Sequence, residues 1–135
     1  MIQMDAVNTS GKRKTAIARA VVKEGTGKVV VNKTPIAIYS PELARLKIEE
    51  PLQLVPEKAA KVDISVTVQG GGVMGQAAAV RTAIARGLVD FYKDDELEAL
   101  FRAYDRTLII NDDRRKLPKK PLGRGARATK QKSYR

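Results

Sequence analysis

The sequence predicts an α+β fold in which helices cover one side of a small sheet, followed by an extended basic tail. Residues 62–68 alternate Val or Ile with polar residues, the pattern of a strand with one face on a core and one in water. From Val73 to Phe91, after three consecutive glycines, apolar residues recur at helical spacing. The last 22 residues, 114–135, carry ten Lys or Arg and no acidic residue. The predicted order of elements is ββαβααβ.

Two further β-prone segments precede the clear strand. Residues 14–23 and 28–32 flank the turn-forming residues 24–27 (EGTG), so we interpret them as a hairpin. Residues 36–39 extend the β character beyond it. Residues 1–10 show no clear period, and we expect them to be loosely ordered.

The other helices are predicted from their caps and apolar faces. Ser40 is expected to cap a helix that has Pro41 at its first position and that Pro51 interrupts. A further helix begins with acidic residues near Asp94, which favours its N-terminus. Its predicted buried face consists of Leu97, Leu100, Phe101 and Tyr104. The long helix is expected to turn Arg81, Thr82, Ala85 and Arg86 to solvent, and residues 107–110 are the last strand candidate.

The composition narrows the possible functions. The chain has no Cys and no His, which excludes disulfides, thiolate nucleophiles, Cys/His zinc sites and histidine general bases. The carboxylates form no isolated pair on an apolar face, so we predict no catalytic residue, metal site, cofactor or small-molecule substrate. The sequence has neither an apolar run of membrane-spanning length nor a signal core, which predicts an intracellular protein.

Charge divides the chain into two parts. Residues 1–113 hold sixteen Lys or Arg against fifteen Asp or Glu, so the net charge of +11 lies almost entirely in residues 114–135. We predict a globular body at 1–112 and an extended tail at 113–135, because like charges repel and the tail has little apolar surface to bury. The expected partner is nucleic acid. A membrane fits less well, because no amphipathic helix or anchor accompanies the charge.

The glycine-rich segment 70–75 has three interpretations. It matches the dinucleotide motif G-x-G-x-x-G, but the acidic residue expected about 20 residues further on falls at Asp94, at a helix start with no second strand before it. A tight strand-to-helix turn explains the glycines without any ligand. The third interpretation is a seat for a nucleic-acid phosphate, formed by the backbone of Gly70, Gly71, Gly72 and Gly75. Two further functions stay open for the chain: a small nucleotide-binding phosphotransferase that uses Gly70–Gly75, and a general nucleic-acid-compacting protein.

Three motifs, in order, resemble the small-subunit ribosomal protein S9 family. They are GKRKTAIARA at 11–20, VTVQGGGVMGQA at 66–77, and GRGARA at 123–128 followed by QKSYR at 131–135. The ending is similar to that of the archaeal and eukaryotic branch of the family. Asp113 and Leu117 depart from the Pro and Glu that relatives often carry there.

The resemblance implies a non-enzymatic structural protein of the small-subunit head, in the cytoplasm, that acts in translation. Its implied fold is the ribosomal-protein-S5-domain-2-like β-α-β arrangement with a left-handed crossover. The implied partners are small-subunit ribosomal RNA, peptidyl-site tRNA and neighbouring head proteins. The implied tRNA contacts are Lys132, Ser133, Tyr134 and Arg135. The implied ribosomal RNA contacts along the tail are Arg114, Arg115, Lys119, Lys120, Arg124, Arg127 and Lys130, while Lys12, Arg13 and Lys14 reach the RNA from the other side.

Overall fold

The computed structural model describes residues 6–123, 125 and 126, and within them it has five strands and four α-helices. The strands are β1 (Val7–Arg13), β2 (Ala16–Glu24), β3 (Val29–Val31), β4 (Thr34–Pro35) and β5 (Val62–Gln69). The helices are α1 (Glu42–Leu54), α2 (Pro56–Ala59), α3 (Val73–Tyr92) and α4 (Asp95–Tyr104). The predicted α+β class is confirmed.

The strands form a single mixed sheet in the order β1-β2-β5-β3-β4. β2 pairs antiparallel with both β1 and β5, whereas β3 pairs parallel with β5. The predicted hairpin between residues 14–23 and 28–32 is therefore wrong, although both segments contain a strand. The EGTG loop carries the chain across the end of β5, where Asp63 accepts hydrogen bonds from the main-chain N–H groups of Thr26 and Lys28, each at 3.0 Å.

The true hairpin joins β1 to β2, so the expectation of loose order over residues 1–10 is wrong from Val7 onward. The inward-facing positions of β1 include Thr9 and the buried Gly11, so its alternation is not visible as a hydrophobic period. A Cβ at Gly11 would lie 2.1 Å from the carbonyl oxygen of Ala79. Glycine is thus required here because the backbones of β1 and α3 are in contact.

Helix α1 differs from its prediction at both ends. It begins at Glu42, after a cis Ser40–Pro41 peptide bond, and no side chain caps it. It also continues through Pro51, which is buried. Proline lacks the N–H that would bond the carbonyl of Lys47, so we attribute the unbroken helix to its packing against α3 through Ala44 and Ile48.

Helix α3 lies at the centre of the fold. It packs on β1, β2 and β5 and is flanked by α1, α4 and the 3₁₀ turn Arg106–Leu108. Because neighbours surround it, Arg81, Thr82 and Ala85 are buried and their predicted exposure is wrong. Arg86 is half-buried, and its guanidinium donates to the carbonyl oxygens of Ile109 at 2.6 Å and Ser10 at 3.0 Å.

The last elements of the body were predicted in part. Asp94 caps α4 by accepting a hydrogen bond from the N–H of Glu96 at 2.9 Å. Leu97 and Phe101 are buried as predicted, but Leu100 and Tyr104 are 44% and 55% exposed. The predicted strand at 107–110 is wrong, because Arg106–Leu108 forms a 3₁₀ turn against α3 and α4.

Beyond this turn, residues 113–120 are exposed and contain no helix or strand. The boundary between body and tail at 112/113 stays a prediction. None of the helices described is long and apolar enough to cross a membrane.

Candidate nucleic-acid interface

The start of the basic tail is docked on the turn between β1 and β2. The Nη1 of Arg13 donates a hydrogen bond to the carbonyl oxygen of Arg114, and the Nη2 of Arg115 donates to the carbonyl oxygen of Lys14 at 3.3 Å. The predicted ribosomal RNA contacts at 12–14 and at 114–115 therefore lie together on one side of the body. That the two groups reach the RNA from different sides stays a prediction.

Asp112 holds this junction in place. Its carboxylate accepts hydrogen bonds from the Nη2 and the main-chain N–H of Arg114, at 2.8 and 3.0 Å, and lies 3.9 Å from the Nε of Arg13. The Arg114 side chain and main chain, followed by the charge of Arg13, hold the pKa of Asp112 well below its usual range. The carboxylate in turn raises the pKa of Arg114. The junction is therefore charged at every physiological pH.

The structure describes only part of the predicted tail path. Lys119 and Lys120 are exposed, and the N–H of Lys120 donates to the carbonyl oxygen of Gly125 at 3.0 Å. The other predicted tail contacts lie outside the described residues: Arg124, Arg127, Lys130, Lys132, Ser133, Tyr134 and Arg135.

In the glycine segment 70–75, two glycines are required by the turn, and the backbone at a third is not covered by neighbouring atoms. Gly70 and Gly71 have φ values of 80° and 67°, and a Cβ at Gly70 would lie 2.4 Å from the carbonyl oxygen of Thr15. These two glycines are needed for the turn. Gly72 precedes the first residue of α3, no side chain caps the helix there, and a Cβ at Gly72 would meet nothing within 4 Å. Packing alone does not explain glycine at that position.

Beside this turn lies a cleft of about 380 Å³, which we call the glycine cleft. It is lined by Arg13, Lys14 and Lys47 together with backbone at Gly72 and Gly75, and no Asp or Glu lines it. The sequence did not single out Lys47. Lys47 precedes the buried Ile48 on α1, which is an amphipathic helix packed on α3. This position was the sequence signal that could have placed Lys47 at the wall of the glycine cleft.

A larger groove of about 490 Å³ adjoins the glycine cleft, and Arg13, Lys47 and Ala78 line both. We call it the basic groove, and define it by Lys12, Lys47, Tyr104 and Arg114. Among the residues described, no group of Asp, Glu, His or Cys could hold a metal ion there or elsewhere.

Arg81 reaches the basic groove from α3, and its charge is already neutralised. Its side chain is 8% exposed; its Nε donates to Glu50 at 2.9 Å, its Nη2 to Asp105 at 3.0 Å, and its Nη1 to Thr107 at 3.1 Å. Burial raises the pKa of Asp105, but hydrogen bonds from Thr107 and Arg81 outweigh it and leave that pKa lowered. Arg81 therefore joins α1, α3 and the 3₁₀ turn and leaves little of its own charge for a ligand.

The structure does not support a dinucleotide site at the glycine segment. Helix α3 is followed by α4, and the acidic residue at the expected distance, Asp94, caps α4 and pairs with Lys58. A dinucleotide site needs that residue at the end of a second strand.

The α+β body with its basic tail docked beside basic clefts is typical of proteins that bind a phosphate backbone. Residues 11–135 match the model of the family Ribosomal protein S9/S16, and the chain belongs to this family. Its relatives include the small ribosomal subunit protein uS9 of Thermoplasma volcanium, 64% identical over 98% of this chain and the whole of the relative.

Two further archaeal relatives carry the same name. The protein of Thermoplasma acidophilum is 61% identical over 94% of this chain and 98% of its own length. That of Picrophilus torridus is 51% identical over 97% of this chain and 98% of its own length. The resemblance identified from the three motifs is confirmed.

Proposed function

We propose that the chain is a structural constituent of the small ribosomal subunit head, where it binds ribosomal RNA and contacts peptidyl-site tRNA through the end of its tail. The observation that carries the proposal is the family match, which runs through residues 114–135 with their ten cations and no acid. The names of the relatives support the small subunit as its place. Neighbouring head proteins are its other partners, and its crossover is the left-handed one of the family fold.

The two basic clusters bind the ribosomal RNA backbone. Guanidinium and ammonium groups bind phosphate through charge and hydrogen bonds without reading base identity. The proposed contacts are Lys12, Arg13, Lys14, Arg114, Arg115, Lys119, Lys120, Arg124, Arg127 and Lys130. Arg13 and Arg114 also pair with Asp112, so their main effect is to fix the direction in which the tail leaves the body.

The tail tip contacts the tRNA. Lys132, Ser133, Tyr134 and Arg135 touch the backbone of the anticodon stem-loop, with Arg135 on a phosphate. A contact that has to accept every tRNA should bind phosphate, because phosphate contacts position a ligand while base contacts select its sequence.

The backbone at Gly70, Gly71, Gly72 and Gly75 forms a further phosphate seat at the start of α3. Gly72→Ala tests it, because Gly72 is exposed and the added methyl would meet no other atom of the described chain within 4 Å. We expect an unchanged melting temperature and weaker binding to small-subunit RNA, since the methyl group keeps a phosphate away from the backbone. Unchanged RNA binding would remove the seat from the proposal.

Small subunits rebuilt with the full chain, or with a chain lacking Ser133–Arg135, test the main proposal. We expect both chains to assemble and only the truncated one to bind peptidyl-site tRNA more weakly. Ala128→Ser is the matched control, because it keeps the length and charge of the tail and changes a residue that is not among the proposed contacts. Equal tRNA affinity for full and truncated chains would limit the tail to ribosomal RNA, and failure of the full chain to assemble would overturn the proposal.

A further inference from the structure

The basic groove combines unpaired cations with an exposed aromatic ring. Lys12 comes from β1, Lys47 from α1 and Tyr104 from the last turn of α4. Three separate elements therefore present these side chains to one space of about 490 Å³. That volume is large enough for a single nucleotide.

The charge that the groove offers a ligand is positive. Glu50 and Asp105 line it and share the one charge of Arg81, and Asp112 pairs with Arg114, so the five cations that line the groove exceed its three carboxylates by two. The ammonium groups of Lys12 and Lys47, by contrast, have no hydrogen-bond or ion-pair partner among the residues that the structure describes. An anion entering the groove therefore meets two free lysines at its wall.

The side chain of Tyr104 adds an aromatic surface to the groove, because it is largely exposed and not packed in the core. The residue is 55% exposed, although an apolar face of α4 was expected to bury it. No ring contact or hydrogen bond of Tyr104 is present within the described part of the chain. An exposed ring that shares a groove with lysines is the arrangement to which single-stranded nucleic acids bind, with a base stacked on the ring and phosphates on the cations.

We propose that the basic groove binds one unpaired nucleotide of RNA, with its base stacked on Tyr104 and its phosphate at Lys47. Because Lys47 also lines the glycine cleft, the strand continues from the groove toward the start of α3. The inference rests on the proposed RNA-binding function. It adds that the nucleotide in the basic groove is unpaired. A paired base is stacked inside a helix and has no face free for Tyr104.

The test uses the full chain and a six-nucleotide oligoadenylate, with a blunt-ended, G–C-rich RNA duplex of about twelve base pairs for comparison, because that duplex stays fully paired at the temperature of the measurement. The ring signals of Tyr104 are followed by NMR and assigned from the Tyr104→Phe spectrum. We expect them to move upfield with the single strand, and to stay in place with the duplex or with inorganic phosphate. Equal shifts with duplex and single strand would overturn the inference.

Affinities of matched variants provide the second readout. Tyr104→Leu should weaken binding of the oligoadenylate about 5-fold or more, since stacking on an aromatic ring is lost. Tyr104→Phe should not, and neither should Leu100→Ala, which alters an exposed residue of the same helix outside the groove. Lys47→Gln should lower the salt slope of binding by about 0.7, whereas Lys61→Gln, at the opposite end of β5, should leave it unchanged.

The failures of the two proposals are distinguishable. If the Tyr104→Leu and Lys47→Gln chains bind the oligoadenylate as the unchanged chain does, the groove inference is wrong and the ribosomal proposal stands. If the unchanged chain does not assemble into small subunits, the ribosomal proposal is wrong, whatever the groove binds.

Discussion

The guanidinium of Arg13 donates a hydrogen bond through Nη1 to the main-chain carbonyl of Arg114, which ties the first strand to the start of the basic tail. Arg13 and Asp112 also form an isolated parallel bridge between their backbones. The tail therefore leaves the body from a fixed point. A segment that is anchored at its root loses less conformational freedom when a partner orders the rest of it.

Asp112→Ala should loosen this root without unfolding the body. The carboxylate of Asp112 accepts a hydrogen bond from the N–H of Arg114 at 3.0 Å, so its loss exposes that N–H to water. We expect severalfold faster hydrogen exchange at the Arg114 amide, measured by NMR. Asp113→Ala changes the next residue, which is exposed, and is the matched control. Equal exchange in the two variants would show that Asp112 does not hold the root.

The ionisation of Asp112 can be followed directly. Its pKa lies below the usual value, so the interactions of its carboxylate are complete above about pH 4 and are lost only as the pH falls through the lower folded-state pKa. The carboxyl carbon signal of Asp112 should therefore titrate with a midpoint below about 3.9, and the root should be unchanged between pH 5 and 8.

The same titration separates the causes of the shift. Arg114→Ala should raise the midpoint more than Arg13→Ala, because hydrogen bonds from Arg114 are the main cause and the charge of Arg13 is the least of those that lower it. The reverse order would mean that Arg13, and not Arg114, stabilises the carboxylate.

Arg81→Leu should destabilise the body. The change leaves Glu50 and Asp105 without their shared cation and removes the hydrogen bond that Arg81 donates to the hydroxyl of Thr107. Because both carboxylates are partly exposed, we expect a loss of about 1–3 kcal/mol in the free energy of unfolding, measured with urea.

Arg102→Leu is the control for Arg81→Leu, since it also removes an arginine–carboxylate pair, with Glu98 on the same helix. Arg102 is 53% exposed, and such i,i+4 pairs contribute only about 0.3–0.5 kcal/mol. If the two substitutions had the same effect, burial of Arg81 would not matter for its contribution.

The sequence correctly predicted the elements whose apolar pattern is regular. It did not predict structure that depends on small residues in close contact or on ion pairs between distant parts of the chain. β5 and α3 are amphipathic and were found, and the acidic residues predicted at the start of a further helix do begin α4, where the structure shows Asp94 as the cap. β1 was missed because it faces α3 with Thr9 and Gly11, which carry no hydrophobic period. The exposure of Arg81 was predicted wrongly because its partners, Glu50 and Asp105, are 31 and 24 residues away in the chain.

The candidate site shows the same division. The basic residues at 12–14 and 114–115 are consecutive in the sequence, so they could be named as candidate contacts from the sequence alone. Lys47 and Tyr104 are single residues on two helices that only the tertiary fold brings to one groove. Sequence reasoning placed Tyr104 in the core, because an amphipathic helix pattern does not say how wide the buried face is.

The close contact between β1 and α3 gives the last prediction. A Cβ at Gly11 would lie 2.1 Å from the carbonyl oxygen of Ala79 and 2.7 Å from the nitrogen of Ala83, and both atoms belong to helix backbone that cannot rotate away. Gly11→Ala should therefore force α3 from the sheet and lower the free energy of unfolding by about 1–3 kcal/mol, measured with urea. Gly72→Ala is the matched control, because its methyl meets nothing within 4 Å and should leave stability within about 0.5 kcal/mol. Equal stabilities for the two variants would mean that β1 and α3 are not packed backbone to backbone at Gly11.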